Sequence, residues 1–360
     1  MNGLARDIAE QIAHDGPISV ERYMQLCLAH PTLGYYPTRD PLGAAGDFVT
    51  SPEISQMFGE LIGLWTVACA RASGAARLVE LGPGRGTLMA DALRAARVAK
   101  DFFAAVEIDL VETSPALIER QRATLAASGR PVVWRARVEE VPHAPAIFIA
   151  NEFFDALPVR QYVKAGGAWR ERLVGLDARG RLTFGAAIES EPAIAFEAQE
   201  GAVLEVGAQA QRIMVEIAAR IVRHGGAALI IDYGHARTQA GDTLQAMRAH
   251  AFVDPLARPG EADLTTHVDF GALARAARAT GAATHGPIAQ GAFLKRLGVD
   301  QRAATLMRGA TEAQARDIES ARERLTSARA PTDMGALFKC LAVTRAGAPV
   351  PPGFEEGDRV

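Results

Sequence analysis

Lysine, cysteine and long apolar runs are all scarce in this chain of 360 residues. Only Lys100, Lys164, Lys295 and Lys339 are lysines, and the rest of the 39 basic residues are arginine, a bias from which no function follows. The 3 cysteines, Cys27, Cys69 and Cys340, stand far apart and form no CxxC pair. That speaks against a zinc site or a disulfide framework and suits a reducing compartment. No apolar run reaches the length of a membrane span. The histidines (His14, His30, His143, His224, His235, His250, His267 and His285) show no metal-ligand spacing, so no metal is expected. A net charge of −3 argues against a general nucleic-acid binder. The first residues, Met1 to Asp15, carry Asp7, Glu10 and Asp15. They read as neither a secretory signal nor an acid-poor transit peptide, and a cytoplasmic protein is expected.

What the chain does have is a 49% hydrophobic composition with 22% charge, enough for a substantial core. It also has one stretch around which the rest is arranged: Arg77-Leu78-Val79-Glu80-Leu81-Gly82-Pro83-Gly84-Arg85-Gly86-Thr87. An apolar run ends in an acid, glycines follow at alternate positions, and a helical pattern starts at once. This predicts a strand, a tight turn and a helix N-terminus, which together suit a nucleotide-like cofactor.

Beyond it, strand and helix patterns alternate. Strands are predicted at Leu78–Leu81, Val106–Glu112, Val132–Trp134, Ala146–Ala150, Ala227–Gly234 and Ala282–Ile288, with a last one within Gly335–Thr344. Such alternation predicts a parallel sheet covered on both faces. Thr50-Ser51-Pro52-Glu53 reads as the start of a helix running to about Arg71. A single charged helical region is expected from Asp300 to Arg329. The expected organisation is an N-terminal helical cap or lid over 1–74 and a core over 75–345. The core carries insertions at about 159–206, antiparallel β, and 235–266, and a loose tail covers 346–360. The N-terminal segment is open to two readings, a packing cap or a lid over the glycine turn.

The cofactor can be narrowed. A dinucleotide fingerprint needs a third glycine where Thr87 stands and an acid about 20 residues on, whereas Glu112 comes 30 residues after Gly82. No GxxxxGK[ST] loop is present. An ExGxGxG turn suits S-adenosylmethionine, which has no phosphates, and Glu112 at the tip of the second strand can accept from two ribose hydroxyls. Glu80, Gly82, Pro83, Gly84, Gly86, Glu112, Ser114 and Asn151 are therefore the expected cofactor-binding residues.

Five segments in order, Gly46–Ser55, Glu80–Gly86, Asn151–Pro158, Asp232–His235 and Gln290–Leu294, resemble the MidA-like methyltransferases across nearly the whole chain. That family includes a mitochondrial protein arginine methyltransferase that serves complex I assembly. The resemblance implies an α/β fold with a Rossmann-like seven-stranded class I methyltransferase sheet whose final strand is antiparallel. It also implies S-adenosylmethionine as cofactor and arginine of a protein, in that member a complex I subunit, as substrate.

Methyl transfer from a sulfonium is a direct displacement, so alignment supplies much of the rate. A guanidinium is protonated at neutral pH and needs carboxylates to hold it and take a proton. In the implied architecture the fourth strand's tip faces the methyl group. Glu152 is the first choice for the grip, Asp155 the second, and Asn151 could hold the substrate nitrogen or the cofactor amine. Tyr36, Asp47, Ser51 and Glu53 are lid candidates, and His235 is either a base or a loop histidine. Two other functions remain open at this point: methylation of an amide or small molecule, and an assembly chaperone with a vestigial cofactor site.

Overall fold

The computed structural model describes residues 2–38 and 50–358. It divides into two compact units. The sheet unit holds the described residues of 49–154 and 268–360 together with Gln211–Arg237. The other, here called the insertion unit, holds the described residues of 1–48, Asp155–Ala210 and Thr238–His267.

In the sheet unit the strands are β1 (Arg77–Leu81), β2 (Glu107–Val111), β3 (Val132–Arg135), β4 (Ala146–Asn151), β5 (Gly226–His235), β6 (Ala282–Ala289) and β7 (Phe338–Arg345). Their order is β3-β2-β1-β4-β5-β7-β6, with Val268–Asp269 bridging the end of β5. The first five are parallel, and β7 runs antiparallel to both β5 and β6. Every residue of β4 is buried, as expected for a central strand covered on both faces. The strand order reverses between β1 and β4, and in such sheets ligands bind beyond the carboxyl ends at that point. The α/β fold with a final antiparallel strand agrees with the sequence reading.

Four helices frame that crevice: α1 (Ser51–Ile54), α2 (Gln56–Ser73), α3 (Thr87–Ala96) and α4 (Pro115–Leu125). The sequence predicts one helix from Thr50 to about Arg71, but the structure breaks it at Ser55. That residue is extended (φ −163°) and caps α2 by accepting from the Met57 N–H at 3.2 Å. A serine hydroxyl competes for backbone donors, and here the cap wins over helix continuity. Helices α2 and α3 lie close because Gly59 and Gly63 carry no side chain. A Cβ on Gly63 would stand 2.4 Å from the Ala92 carbonyl oxygen. Phe58, Trp65, Leu93, Ile147, Leu229 and Phe293 share the core of this unit.

The insertion unit is built on the helices Gly3–Asp15 and Val20–Ala29 and the strands Arg160–Ala165, Ala168–Leu176, Leu182–Ala186 and Val203–Val206. The hairpin turns at Gly166 and Gly167, both at positive φ, inside the stretch the sequence reads as antiparallel β. Ile8, Tyr23, Met24, Val174 and Leu264 pack in its own core.

Three expectations of organisation are corrected. A cap over 1–74 does not hold together as one piece: the described residues up to 38 belong to the insertion unit, whereas α1 and α2 pack in the sheet unit. The tail from 346 is not loose. Trp65 donates through Nε1 to the Pro352 carbonyl at 3.1 Å, Phe354 is buried against Phe293, and Arg296 reaches Asp358 at 2.6 Å. The region 300–329 is two helices, Val299–Met307 and Glu312–Thr326, because Thr311 and Gln314 form a capping box that starts the second.

Candidate functional site

The glycine turn follows β1 without interruption. Gly82, Gly84 and Gly86 have φ of 60°, 55° and 80°, a region other residues enter at a cost. At Gly82 the space is also taken, since a Cβ there would meet the Phe153 ring at 2.8 Å. The buried Pro83 supplies the carbonyl that accepts from the Gly86 N–H at 2.8 Å, which closes the turn. Glu80 lies beneath it, buried, and its Oε2 has no hydrogen-bond partner among the described residues. Burial pushes this carboxyl up to about 8.

Glu112 follows β2 and is held from three directions. Its Oε1 accepts from the Thr113 and Ser114 N–H groups at 2.7 and 2.8 Å, and its Oε2 accepts from Gln121 Nε2 at 3.2 Å. Burial raises its pKa, and these three hydrogen bonds oppose the shift. About three of a carboxylate's four acceptor positions are thus taken. About one position is left for the ribose hydroxyls that the sequence reading assigns to Glu112. Ser114 itself is buried and caps α4.

At the tip of β4, Asn151 is buried, with Oδ1 unpartnered among the described residues. Its Nδ2 donates to Glu152 Oε1 at 3.1 Å, and the same oxygen accepts from the Ser51 N–H at 2.8 Å. Glu152 has φ +51°, uncommon for a residue with a side chain. The turn after it is fixed by Asp232 at the end of β5. That carboxylate is wholly buried and accepts from the Phe153, Phe154 and Tyr233 N–H groups at 3.2, 2.9 and 3.0 Å. Helix α1 joins both halves of the site. Ser51 holds Glu152, while Glu53 Oε1 accepts from the Thr87 hydroxyl at 2.5 Å at the start of α3.

The structure therefore gathers Glu80, Gly82, Pro83, Gly84, Gly86, Glu112, Ser114, Asn151, Glu152, Ser51 and Glu53 in the sheet unit. Tyr36 and Asp155 belong to the insertion unit. There the Tyr36 hydroxyl donates to Asp263 Oδ1 at 3.0 Å, and burial, then the Asp263 and Asp155 charges, raise its pKa. The Asp155 carbonyl accepts from the Thr266 N–H at 3.0 Å. Asp47 lies outside the described residues. Sequence reasoning missed Gln121, whose amide touches both Gly84 and Glu112, and gave Asp232 no role in shaping the β4 turn. Among the described residues no three His, Cys, Asp or Glu side chains gather to hold a metal.

These residues fit S-adenosylmethionine. Glu80 offers a buried acceptor without a partner, the glycines leave backbone open beside it, and Glu112 is an oriented acceptor one strand away.

Comparison with known proteins agrees. The family described as S-adenosyl-L-methionine-dependent methyltransferase matches residues 61–288. The zebrafish (Danio rerio) mitochondrial protein arginine methyltransferase NDUFAF7 is 40% identical over 335 residues, 84% of this chain and 78% of that protein. The human (Homo sapiens) protein of the same name is 40% identical over 344 residues, covering 87% and 77%. A superfamily member from Burkholderia thailandensis, crystallised with S-adenosyl-homocysteine, superposes with a TM-score of 0.85 at 29% identity over 98% of this chain and 96% of that one. The cytoplasmic location expected from the sequence is corrected, because the animal relatives are mitochondrial by name. No helix of the described residues is long and apolar enough to cross a membrane. With a family match over more than half its length and relatives at 40% identity, this chain belongs to the S-adenosyl-L-methionine-dependent methyltransferases: its cofactor is S-adenosylmethionine and its reaction is methyl transfer.

Proposed function

We propose that the chain methylates an arginine of a protein substrate and that Glu152 grips the guanidinium. The observation that carries this reading is Glu152 itself. It is a carboxylate at the tip of the central strand, held in a costly backbone conformation and aimed by the Ser51 N–H and the Asn151 amide. Strained residues of this kind cluster at functional sites. The relatives' names, protein arginine methyltransferase, support the substrate class.

When bound, S-adenosylmethionine supplies an electrophilic methyl group on a sulfonium. Glu80 and the backbone of Gly82, Pro83, Gly84 and Gly86 hold its methionine end, and Glu112, oriented by Ser114, holds the ribose. Asn151 orients the reacting nitrogen through its Oδ1. Glu152 pairs with the guanidinium, points one nitrogen at the methyl group, and takes the proton that nitrogen gives up. Ser51 and Glu53 fix Glu152 relative to the glycine turn.

A subunit of respiratory complex I is the proposed partner, from the resemblance of the sequence. The test is mass spectrometry of arginine methylation in cells with and without this protein, read on respiratory subunits. A methylarginine that disappears with the protein is expected. An unchanged arginine pattern removes the arginine reading in favour of a small-molecule or amide substrate. If partner assembly survives Glu152→Ala while methylation is lost, a chaperone function stands beside the catalytic one.

A further inference from the structure

We propose that Gln121 is a positioning residue that sets how Glu112 grips the cofactor's ribose; this rests on the ribose reading of Glu112 above. The side chain is wholly buried on α4, and its amide has a partner at each end. Trp134, at the carboxyl end of β3, donates through Nε1 to Gln121 Oε1 at 2.8 Å, which fixes the sense of the amide. The Arg122 guanidinium lies 4.3 Å over the Trp134 ring and covers the indole. Gln121 Nε2 then has two N–H donors, and both are spent within the site. One goes to the Gly84 carbonyl at 2.8 Å and the other to Glu112 Oε2 at 3.2 Å.

A single amide therefore ties the glycine turn to the acid after β2, with β3 as its anchor. Glu112 Oε1 is pinned by backbone N–H groups, but Oε2 is held by Gln121 alone among the described residues. Removing Gln121 leaves the carboxylate hinged at Oε1 and free to turn. It also leaves the Gly84 carbonyl without its donor. A site held only loosely loses the benefit of a prearranged acceptor.

The experiment is calorimetric binding of S-adenosylhomocysteine and its 2′-deoxy and 3′-deoxy analogues to the wild type, Gln121→Met and Trp134→Phe. In the wild type, loss of the hydroxyl that meets Glu112 is expected to weaken binding about tenfold, the scale of a hydrogen bond to a charged group. Gln121→Met is expected to bind S-adenosylhomocysteine about tenfold more weakly and to discriminate against neither analogue by more than about twofold. Trp134→Phe, which keeps the glutamine but frees its amide, is expected to move the same way by about threefold. It carries the comparison alone if thermal melting shows that Gln121→Met does not fold. Variants that discriminate between the analogues as sharply as the wild type overturn the proposal, because Gln121 then only fills space. A wild type indifferent to both hydroxyls instead overturns the ribose reading of Glu112.

Discussion

Glu152 keeps a left-handed backbone that a glycine would adopt more easily, a cost for which the proposed grip on the guanidinium accounts. Glu152→Gln keeps an oxygen for the Ser51 N–H and Asn151 to donate to but removes the charge. Transfer is expected to fall about 10²-fold or more, the range for losing a positioned acid–base group, while the affinity for S-adenosylhomocysteine stays within about twofold. Single-turnover kinetics beside calorimetry separates the two. Glu80 gives a pH signature. Its carboxyl is pushed up to about 8 by burial, against an ordinary value of 4.5. Between those values the folded chain holds a proton that the unfolded chain has lost. Glu80 therefore favours folding fully only below about 4.5, and that contribution is lost as pH rises to about 8, at up to roughly 1.4 kcal/mol per pH unit. Without cofactor, Glu80→Gln is expected to melt higher than the wild type at pH 8 and level with it near pH 4.5. Melting curves across that window check the sign, and a parallel shift at all pH values would contradict it.

At the level of elements, α1 is four residues long yet connects Glu152 to the helix after the glycine turn. It is seated by α2, which is locked on α3 through Gly59 and Gly63. Gly63→Ala places a methyl 2.4 Å from the Ala92 carbonyl oxygen and is expected to destabilise the fold by about 1–3 kcal/mol, read as a lower denaturant midpoint with an unchanged slope. Thr87→Val removes the hydroxyl that Glu53 accepts and is expected to lower kcat about tenfold, with Thr87→Ser restoring it. The strands of the sheet were legible because their signals are local: an apolar run, a bounding glycine, an acid at the tip. The glycine turn was legible for the same reason, since positive φ at three alternate positions leaves little choice of residue. The break at Ser55 and the bonds made by Gln121 and Asp232 were not. The Gln121 bond to Glu112 and the Asp232 bond from the Phe153 N–H join positions 9 and 79 residues apart, which only the folded chain brings together, whereas at Ser55 a local hydroxyl cap on Met57 competes with a helical pattern that runs on through it.

Over the whole molecule, the division into units was the least legible feature. The described residues up to 38 leave the helices that follow them and join two later segments, a long-range pairing with no signature in residue periodicity. The last residues carried prolines that looked like a tail, although the buried Phe354 and the Pro352 carbonyl make them part of the core packing. The substrate is the remaining claim. The most direct measurement supplies the purified protein with S-adenosylmethionine carrying a heavy methyl group and with the proteins of cells that lack it, and then reads modified peptides by mass spectrometry. Heavy methyl on an arginine side chain of a protein, present with the wild type and absent with Glu152→Gln, is the expected result. S-adenosylhomocysteine production without any labelled arginine would contradict it.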